Sequence, residues 1–489
     1  MRIAIIGAGI SGLVTAKVLV QYGHDVSVFE RRSGLGGVWE RSRQYAGLKI
    51  QSPREIYVYS DFPMPADYPE FPSAEQISRY LESYAARFDL ARLIRFDTGV
   101  GTLQRDAAGR GWSLEWSHQK TGTSGREDFD HVVVCNGLFD RPLAVEIAGR
   151  AEFEAAGGQL LHSGEFRDAG IAAGKDVVVV GFGKSALDIA YAALSVAQSV
   201  TVVCRRTTWH MPLKIFGFVK MKDVAYSRAA EFWYGRNAKG LEGFVHRHAR
   251  PLVRLYWWWS ELLIGMHTGL GRRRFRPPHP LRHSVGLATG AGFTDNLRAL
   301  RDGRIGLARG NLARLGEAGV ALHTGQTVPA RLVVLATGFA PDVSLLAIQD
   351  RSMLVQGNGD FRLFRHIINP DLPDLTFNGY NGTTAVPVTS EVAAHWIAAW
   401  LAGRIERPGR ASMNASIDED LAWRHENMPA SNRFGHFAAP FNFAYLDTLL
   451  ADMRLPPADA NRPHWHRFNA ILNPADYAFL NDPATQAKR

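Results

Sequence analysis

The chain has 489 residues, is 46% apolar, and carries a formal net charge of +9 and two cysteines. That length holds two or three domains with sizeable cores. The two cysteines, Cys135 and Cys204, close apolar runs, which excludes a disulfide framework and points to a reduced, cytoplasmic setting. The arginines are scattered, without a known nucleic-acid module, so no nucleic-acid partner is expected.

Residues 3–6 form the first apolar run, read as a buried parallel strand. It enters the fold at once, so no signal peptide is expected. Gly7-Ala8-Gly9-Ile10-Ser11-Gly12 follows. In such a fingerprint the first glycine makes the tight turn and the second lets backbone approach a pyrophosphate. The third allows helix–strand packing. A helix over 10–22 should end at Gly23, and a strand over 26–29 ends in Glu30. An acid at that spacing is expected to hold a ribose hydroxyl. Gly36-Gly37-Val38-Trp39 reads as a loop. Ile77, Tyr80, Leu81, Tyr84 and Phe88 lie at helical spacing within 74–88. Strand patterns return over 111–116 and 130–135, the latter turning at Asn136-Gly137.

A second valine run, residues 177–180, leads into Gly181-Phe182-Gly183-Lys184-Ser185-Ala186. A helix is expected over 185–193 and a strand over 200–204. That strand ends in Arg205-Arg206, where the first unit has an acid. Guanidinium grips phosphate with paired hydrogen bonds, so this swap favours NADPH over NADH; the alternative is a solvated basic strand end. About 80 residues of mixed helix and loop follow, including an apolar stretch over 251–270 with Trp257-Trp258-Trp259. Arg254 and Glu261 make it too polar to span a bilayer. It reads as a packed or surface helix, with a helix lying on a membrane as the sharper alternative. Arg272 to Arg276 is read as a basic loop ahead of Pro277-Pro278. A strand over 331–335 ends in Ala336-Thr337-Gly338-Phe339. Strand and loop over 375–380 precede a helix over 389–401. The tail from Arg407 reads as loop with short helices.

Two fingerprints in one chain suggest electron transfer between two dinucleotides, most simply from a nicotinamide to a flavin. The expected fold is α/β, with two Rossmann-like units, the NADPH unit inserted into a discontinuous FAD unit. The expected boundaries are 1–155 and 325–489 for FAD and 156–324 for NADPH, with a helical insertion at about 207–280.

The chain resembles the flavin-containing monooxygenases, the class B flavoprotein monooxygenases, from Met1 to about Pro457. Five motifs carry the resemblance in family order. They are Gly7 to Gly12 with Glu30; Gly36-Gly37-Val38-Trp39; Tyr59-Ser60-Asp61-Phe62-Pro63; Gly181 to Asp188 as GxGxSxxD; and Ala336-Thr337-Gly338-Phe339. The family's FxGxxxHSxx(Y/F) stretch appears from Gly158 through His162-Ser163 to Phe166, with Ala156 in place of the leading phenylalanine. Gln51 stands where the family usually has an asparagine against flavin and nicotinamide. Lys184 replaces the asparagine of GxGNS. Both changes, with the Trp-rich insertion, are similar to the plant branch that N-hydroxylates a cyclic amino acid.

The resemblance implies FAD and NADPH as cofactors, with Gly7, Gly9, Ser11, Gly12, Glu30, Gly37, Val38, Trp39, Gly181, Gly183, Lys184, Ser185, Arg205, Arg206, Thr337 and Gly338 in the binding set. It implies no metal. NADPH would reduce FAD, O₂ would add as a C4a-hydroperoxide, and an amine or sulfide substrate would take the distal oxygen. Gln51 is the expected catalytic residue, and His162 is structural or cofactor-positioning. The alternatives are Baeyer–Villiger oxidation of a ketone, an NADPH oxidase or flavin reductase without oxygenated product, and a non-catalytic FAD-bound adaptor at a membrane surface.

Overall fold

A strand of valine and isoleucine with no polar face is stable only when covered on both sides, which places it inside a parallel sheet. The computed structural model describes residues 1–106, 110–143, 145–236, 240–284, 290–292, 294–429 and 441–482, and it contains two such sheets. In the first, Arg2–Ile6 lies between Asp25–Phe29 and His131–Val134. Ile94–Arg95 and Leu375–Phe377 complete the two edges, both parallel. Numbered along the chain the order is 3-2-1-4-5, the doubly wound arrangement of dinucleotide-binding folds. An antiparallel meander, Thr98–Arg105, Trp112–His118 and Ser124–Phe129, connects its third and fourth strands.

The second sheet is also parallel, but one edge strand comes first in the chain, so its order is 4-3-2-5-1. Asp176–Val180 pairs in parallel with Ser199–Cys204 and with Leu332–Leu335. Gly306–Arg309 and Gln159–His162 form the edges. All five strands lie between the fourth and fifth strands of the first sheet in the chain, so one unit interrupts the other. The two crossings run side by side: Arg141–Pro142 pairs antiparallel with Phe339–Ala340. This corrects the expected second boundary. Leu332–Leu335 hydrogen-bonds into the second sheet, so the chain returns after residue 335, not near 325.

The expected helices form within a few residues of their predicted ends, as Ile10–Gln21, Ala74–Arg87, Lys184–Ala193, Arg250–Thr268 and Val386–Leu401. Val386–Leu401 is buried at every position from 387 to 399 and packs on Ile10–Gln21 and Asn442–Asp452. The tail differs from expectation. Arg410–Asn427 is one helix of 18 residues, held by a narrow buried stripe of Met413, Ile417, Leu421 and Arg424. A stripe that thin gives a weak helical pattern. Residues 237–239 of the insertion, and 430–440 and 483–489 of the tail, lie outside the described residues.

Gly12 shows how tightly the first helix meets its strand. A Cβ there would sit 1.9 Å from the Gly7 carbonyl oxygen, and Gly7 itself has φ +104°. Neither contact can relax without moving backbone. Gly12→Ala is expected to destabilise the protein by roughly 1–3 kcal/mol or more. A thermal melt of the purified variant that matches the parent would refute this close packing.

Candidate active site at two glycine loops

Each glycine loop leaves a central strand at its C-terminal end and opens a helix. Gly9 and Gly183 are the N-caps. Both are extended, with φ −79° and −76°, neither offers a capping side chain, and neither helix has an acid in its first turn. The first N–H groups of both helices therefore point out with the positive end of the helix dipole. That donor set fits a dinucleotide pyrophosphate.

Around the first loop, Gly36 donates to the Ala8 carbonyl at 2.9 Å and brings the second glycine pair alongside. A Cβ on Gly9 would meet only the Gly37 backbone, at 3.5 Å. Glu30 is buried, and its carboxylate accepts from Ala8 N at 2.8 Å and Arg32 N at 2.9 Å. Burial pushes its pKa up, and those backbone bonds oppose the shift. Glu30 thus shapes the turn, and each oxygen keeps a lone pair for a hydroxyl. The Ser11 hydroxyl instead bonds Ser390 at 2.9 Å, so its side chain joins helices. Trp39 is buried against Tyr57, donating to the Tyr57 hydroxyl at 3.1 Å, while Val38 is exposed.

At the second loop Gly181 has φ +135°, and the space beside Gly183 is open: a Cβ there meets nothing within 4 Å. Lys184 turns away from that space. Its ammonium pairs with Asp188 and donates to the Tyr45 hydroxyl at 3.4 Å. Tyr45 donates to Asp188 at 3.0 Å and also engages Ser185. Asn296 donates to the other Asp188 oxygen at 2.9 Å. Burial pulls the Lys184 pKa down and Asp188 opposes that shift. Tyr45 belongs to the segment after the first loop, so this buried cluster fastens one unit to the other. Ala46 N also donates to the Phe166 carbonyl at 2.8 Å.

Arg205 and Arg206 are exposed at the end of Ser199–Cys204. Cys204 pairs with Arg309 on the neighbouring strand. Arg309 lines an open groove of about 500 Å³ with Arg273 and Arg274. The loop over 272–276, read from sequence as merely basic, therefore stands at the same sheet edge. Arg309 carried no sequence signal because its short strand was not recognised.

Thr337 and Gly338 lie at the crossing. The Thr337 hydroxyl donates to the Leu143 carbonyl at 2.8 Å, and Gly338 accepts from Leu143 N at 3.0 Å and faces His162 Nε2 at 3.3 Å. His162 also packs edge-on against Phe339, a structural position. Gln51 is exposed beside buried Ser52. The Ser52 hydroxyl donates to the Thr384 carbonyl at 2.6 Å and accepts from Tyr226 at 3.2 Å. The first unit, the insertion and the segment leading into Val386–Leu401 meet there. Among the described residues no cluster of metal-ligating side chains occurs.

Residues 1–227 match the model of the flavin-binding monooxygenase-like family. Over that stretch the chain is similar to the flavin-containing monooxygenases. A probable flavin-containing monooxygenase of Arabidopsis thaliana is 29% identical, over 96% of this chain and 94% of its own. A steroid monooxygenase structure with NADP superposes with a TM-score of 0.68 at 20% identity, covering 94% of this chain and 99% of that one. S-allyl-L-cysteine S-oxygenase from Allium sativum gives 0.63 at 21%, covering 100% and 99%. The family match and these likenesses together support an FAD-dependent monooxygenase with FAD and NADPH as its cofactors.

The open space at Gly183 separates fold from binding. Gly183→Ala is expected to leave stability within about 0.5 kcal/mol and to weaken dinucleotide binding about tenfold, by crowding the phosphate approach. A melt and a nucleotide titration together check it. Unchanged affinity removes this loop from the nucleotide site.

Proposed function

We propose that FAD lies on the Gly7–Gly12 loop and NADPH on the Gly181–Ala186 loop, and that the enzyme oxygenates a soft nucleophile by N-hydroxylation of an amine or S-oxidation. One contrast carries the cofactor assignment. The strand after the first loop ends in a buried carboxylate, Glu30, and the strand after the second ends in two exposed guanidinium groups. A carboxylate accepts from ribose hydroxyls and repels a 2′-phosphate, whereas arginine grips it. The amine preference rests on Gln51 and Lys184, which depart from the common family pattern in the way the plant N-hydroxylating branch does.

Reduced by NADPH, the bound flavin supplies the activation of O₂. The chain's own residues then have four tasks. Helix N-termini at Gly9 and Gly183 hold two pyrophosphates. Glu30 orients one ribose, and Arg205 and Arg206 select the phosphorylated one. The Tyr45–Lys184–Asp188 cluster fixes how the two units face each other. Gln51 offers amide donors and an acceptor where the first unit, the insertion and the Thr384 segment meet. Soft nucleophiles attack an electrophilic oxygen unaided, so no acid–base triad is required.

The discriminating experiment offers a panel of amines, sulfides and ketones to the FAD-loaded enzyme with NADPH and O₂. N- or S-oxygenated product supports the proposal. An ester from a ketone assigns Baeyer–Villiger oxidation, and stoichiometric H₂O₂ with every compound assigns an oxidase. Gln51→Leu should keep FAD content and flavin reduction while product per NADPH falls and H₂O₂ rises. One lost preorganised donor costs about 100-fold in the oxygenation step, and unchanged coupling removes Gln51 from the site. Arg205→Ala and Arg206→Ala test the nucleotide assignment. Loss of the 2′-phosphate contact should weaken NADPH by roughly 10–150-fold and leave NADH nearly unaffected; equal losses for both nucleotides in both variants overturn it.

A further inference from the structure

Gln51 is exposed between two buried residues. Ile50 is 2% exposed and Ser52 is 4% exposed, while Gln51 and Thr384 face solvent. Where a segment is anchored on both sides of a residue, the anchors set the direction of that residue. The first anchor is backbone: Ile50 N donates to the Pro72 carbonyl at 3.3 Å, and Lys49 bridges Ser73. The second anchor is the Ser52 hydroxyl. It donates to the Thr384 carbonyl at 2.6 Å and accepts from the Tyr226 hydroxyl at 3.2 Å. Asn442 Nδ2 in turn donates to Thr384 Oγ1 at 3.2 Å.

Tyr226 is itself held from several sides. Its ring packs on the hydrophobic core of the first unit. Its carbonyl accepts from Leu472 N at 2.8 Å, and its own N–H donates to the Lys222 carbonyl at 3.3 Å. The Lys222 ammonium reaches Glu70 at 3.3 Å and Glu55 at 3.6 Å, both on the first unit. Burial raises the Tyr226 pKa against its bonds to Ser52 and Thr384, so the phenol stays protonated and donates. Trp39, at the end of the Gly36–Trp39 loop, donates to the Tyr57 hydroxyl at 3.1 Å. Burial raises the Tyr57 pKa too; the Trp39 bond opposes that shift and Tyr226 adds to it. One set of hydroxyls thus gathers the loop of the second glycine pair, the Gln51 segment, the insertion and the tail.

We propose that Tyr226 is a positioning residue for oxygenation, fixing the Gln51 amide through the Ser52 hydroxyl. The proposal rests on the reading of Gln51 given above. The Thr384 carbonyl takes the Ser52 proton, and the phenol fills a lone pair of the same oxygen. That second bond comes from a backbone tied to two other segments, so it holds Ser52 against the rest of the molecule. Such support matters because a displacement of about 1 Å at a catalytic group can cost about 100-fold in rate. A tyrosine kept only for packing needs its ring and not its hydroxyl, and that difference is measurable.

The test removes the hydroxyl and keeps the ring. In the full-length, FAD-loaded enzyme, Tyr226→Phe should retain its FAD content. With NADPH and O₂ alone, its H₂O₂ release should rise about tenfold, part of the full cost of a misplaced group. Ser52→Ala reaches the same contact from the other side and should behave alike. Amide exchange over residues 48–54 should quicken about tenfold in both variants, with the helix Ala74–Arg87 unchanged. Adding Tyr226→Phe to Gln51→Leu should leave the H₂O₂ release of Gln51→Leu within about twofold, because one residue acts through the other. Parent-like release in Tyr226→Phe and Ser52→Ala, with a raised rate in Gln51→Leu, overturns the proposal and leaves the Gln51 reading in place. Multiplied effects in the double variant also overturn it, since Tyr226 then acts apart from Gln51. Parent-like release in all three variants overturns both.

Discussion

Two helices begin on glycine with no side chain to cap them, and that constraint organises the molecule. Their leading N–H groups find no partner within the helix and carry the positive end of its dipole. The loop needs glycine at the turn, small residues where helix meets strand, and a central parallel strand to launch it. Gly7, Gly12 and Gly181 meet the first two needs, since a Cβ at any of them would collide with backbone oxygen. The runs at Arg2–Ile6 and Asp176–Val180 meet the third. Sheet order then follows, because a doubly wound sheet opens its ligand crevice where the strand order reverses.

Holding two such units in one working arrangement is a separate problem, solved with buried charge. Lys184, Asp188, Tyr45 and Asn296 form one closed cluster between the units. Another lies beneath the first helix. Lys17 pairs with Asp61 and approaches Glu391 at 3.8 Å, and Glu391 accepts from Ser60 and Asn481. That network accounts for Ser60 and Asp61 in the Tyr59–Pro63 motif, and Tyr59 completes it by donating to the Ile10 carbonyl at 2.8 Å. Burying ions costs desolvation, so such clusters add little net stability. Removing one partner strands the others, which makes the arrangement specific.

The insertion uses the same device at its attachment. Arg228 spans Asp447 and Asp459, and Glu231 accepts from Phe443 N and Ala444 N at the start of Asn442–Asp452. Burial pushes the Glu231 carboxyl up to about 8, against the pull of those two N–H bonds and Arg228. Tyr226 reaches Ser52 from the same segment. The insertion is thus clamped over the Gln51 side of the molecule, and its opposite face remains open to solvent.

The sequence by itself determined both glycine turns, the parallel strands that feed them, the acid and the arginine pair that follow, and the family resemblance. These are local signals, set by backbone sterics and by side-chain period within about 20 residues. It did not reach the strand Gly306–Arg309, whose partners are distant in the chain, or the helix Arg410–Asn427, whose buried stripe is too thin to read. Only the tertiary structure placed the return crossing after residue 335, because a four-residue strand joins whichever sheet offers the register. Only the tertiary structure turned Lys184 away from the nucleotide space toward Tyr45, and Ser11 toward Ser390. It also divided the three tryptophans, Trp257 inward and Trp258 and Trp259 outward. Helical spacing fixes which residues share a face. Whether that face meets protein or solvent depends on elements far away in the chain.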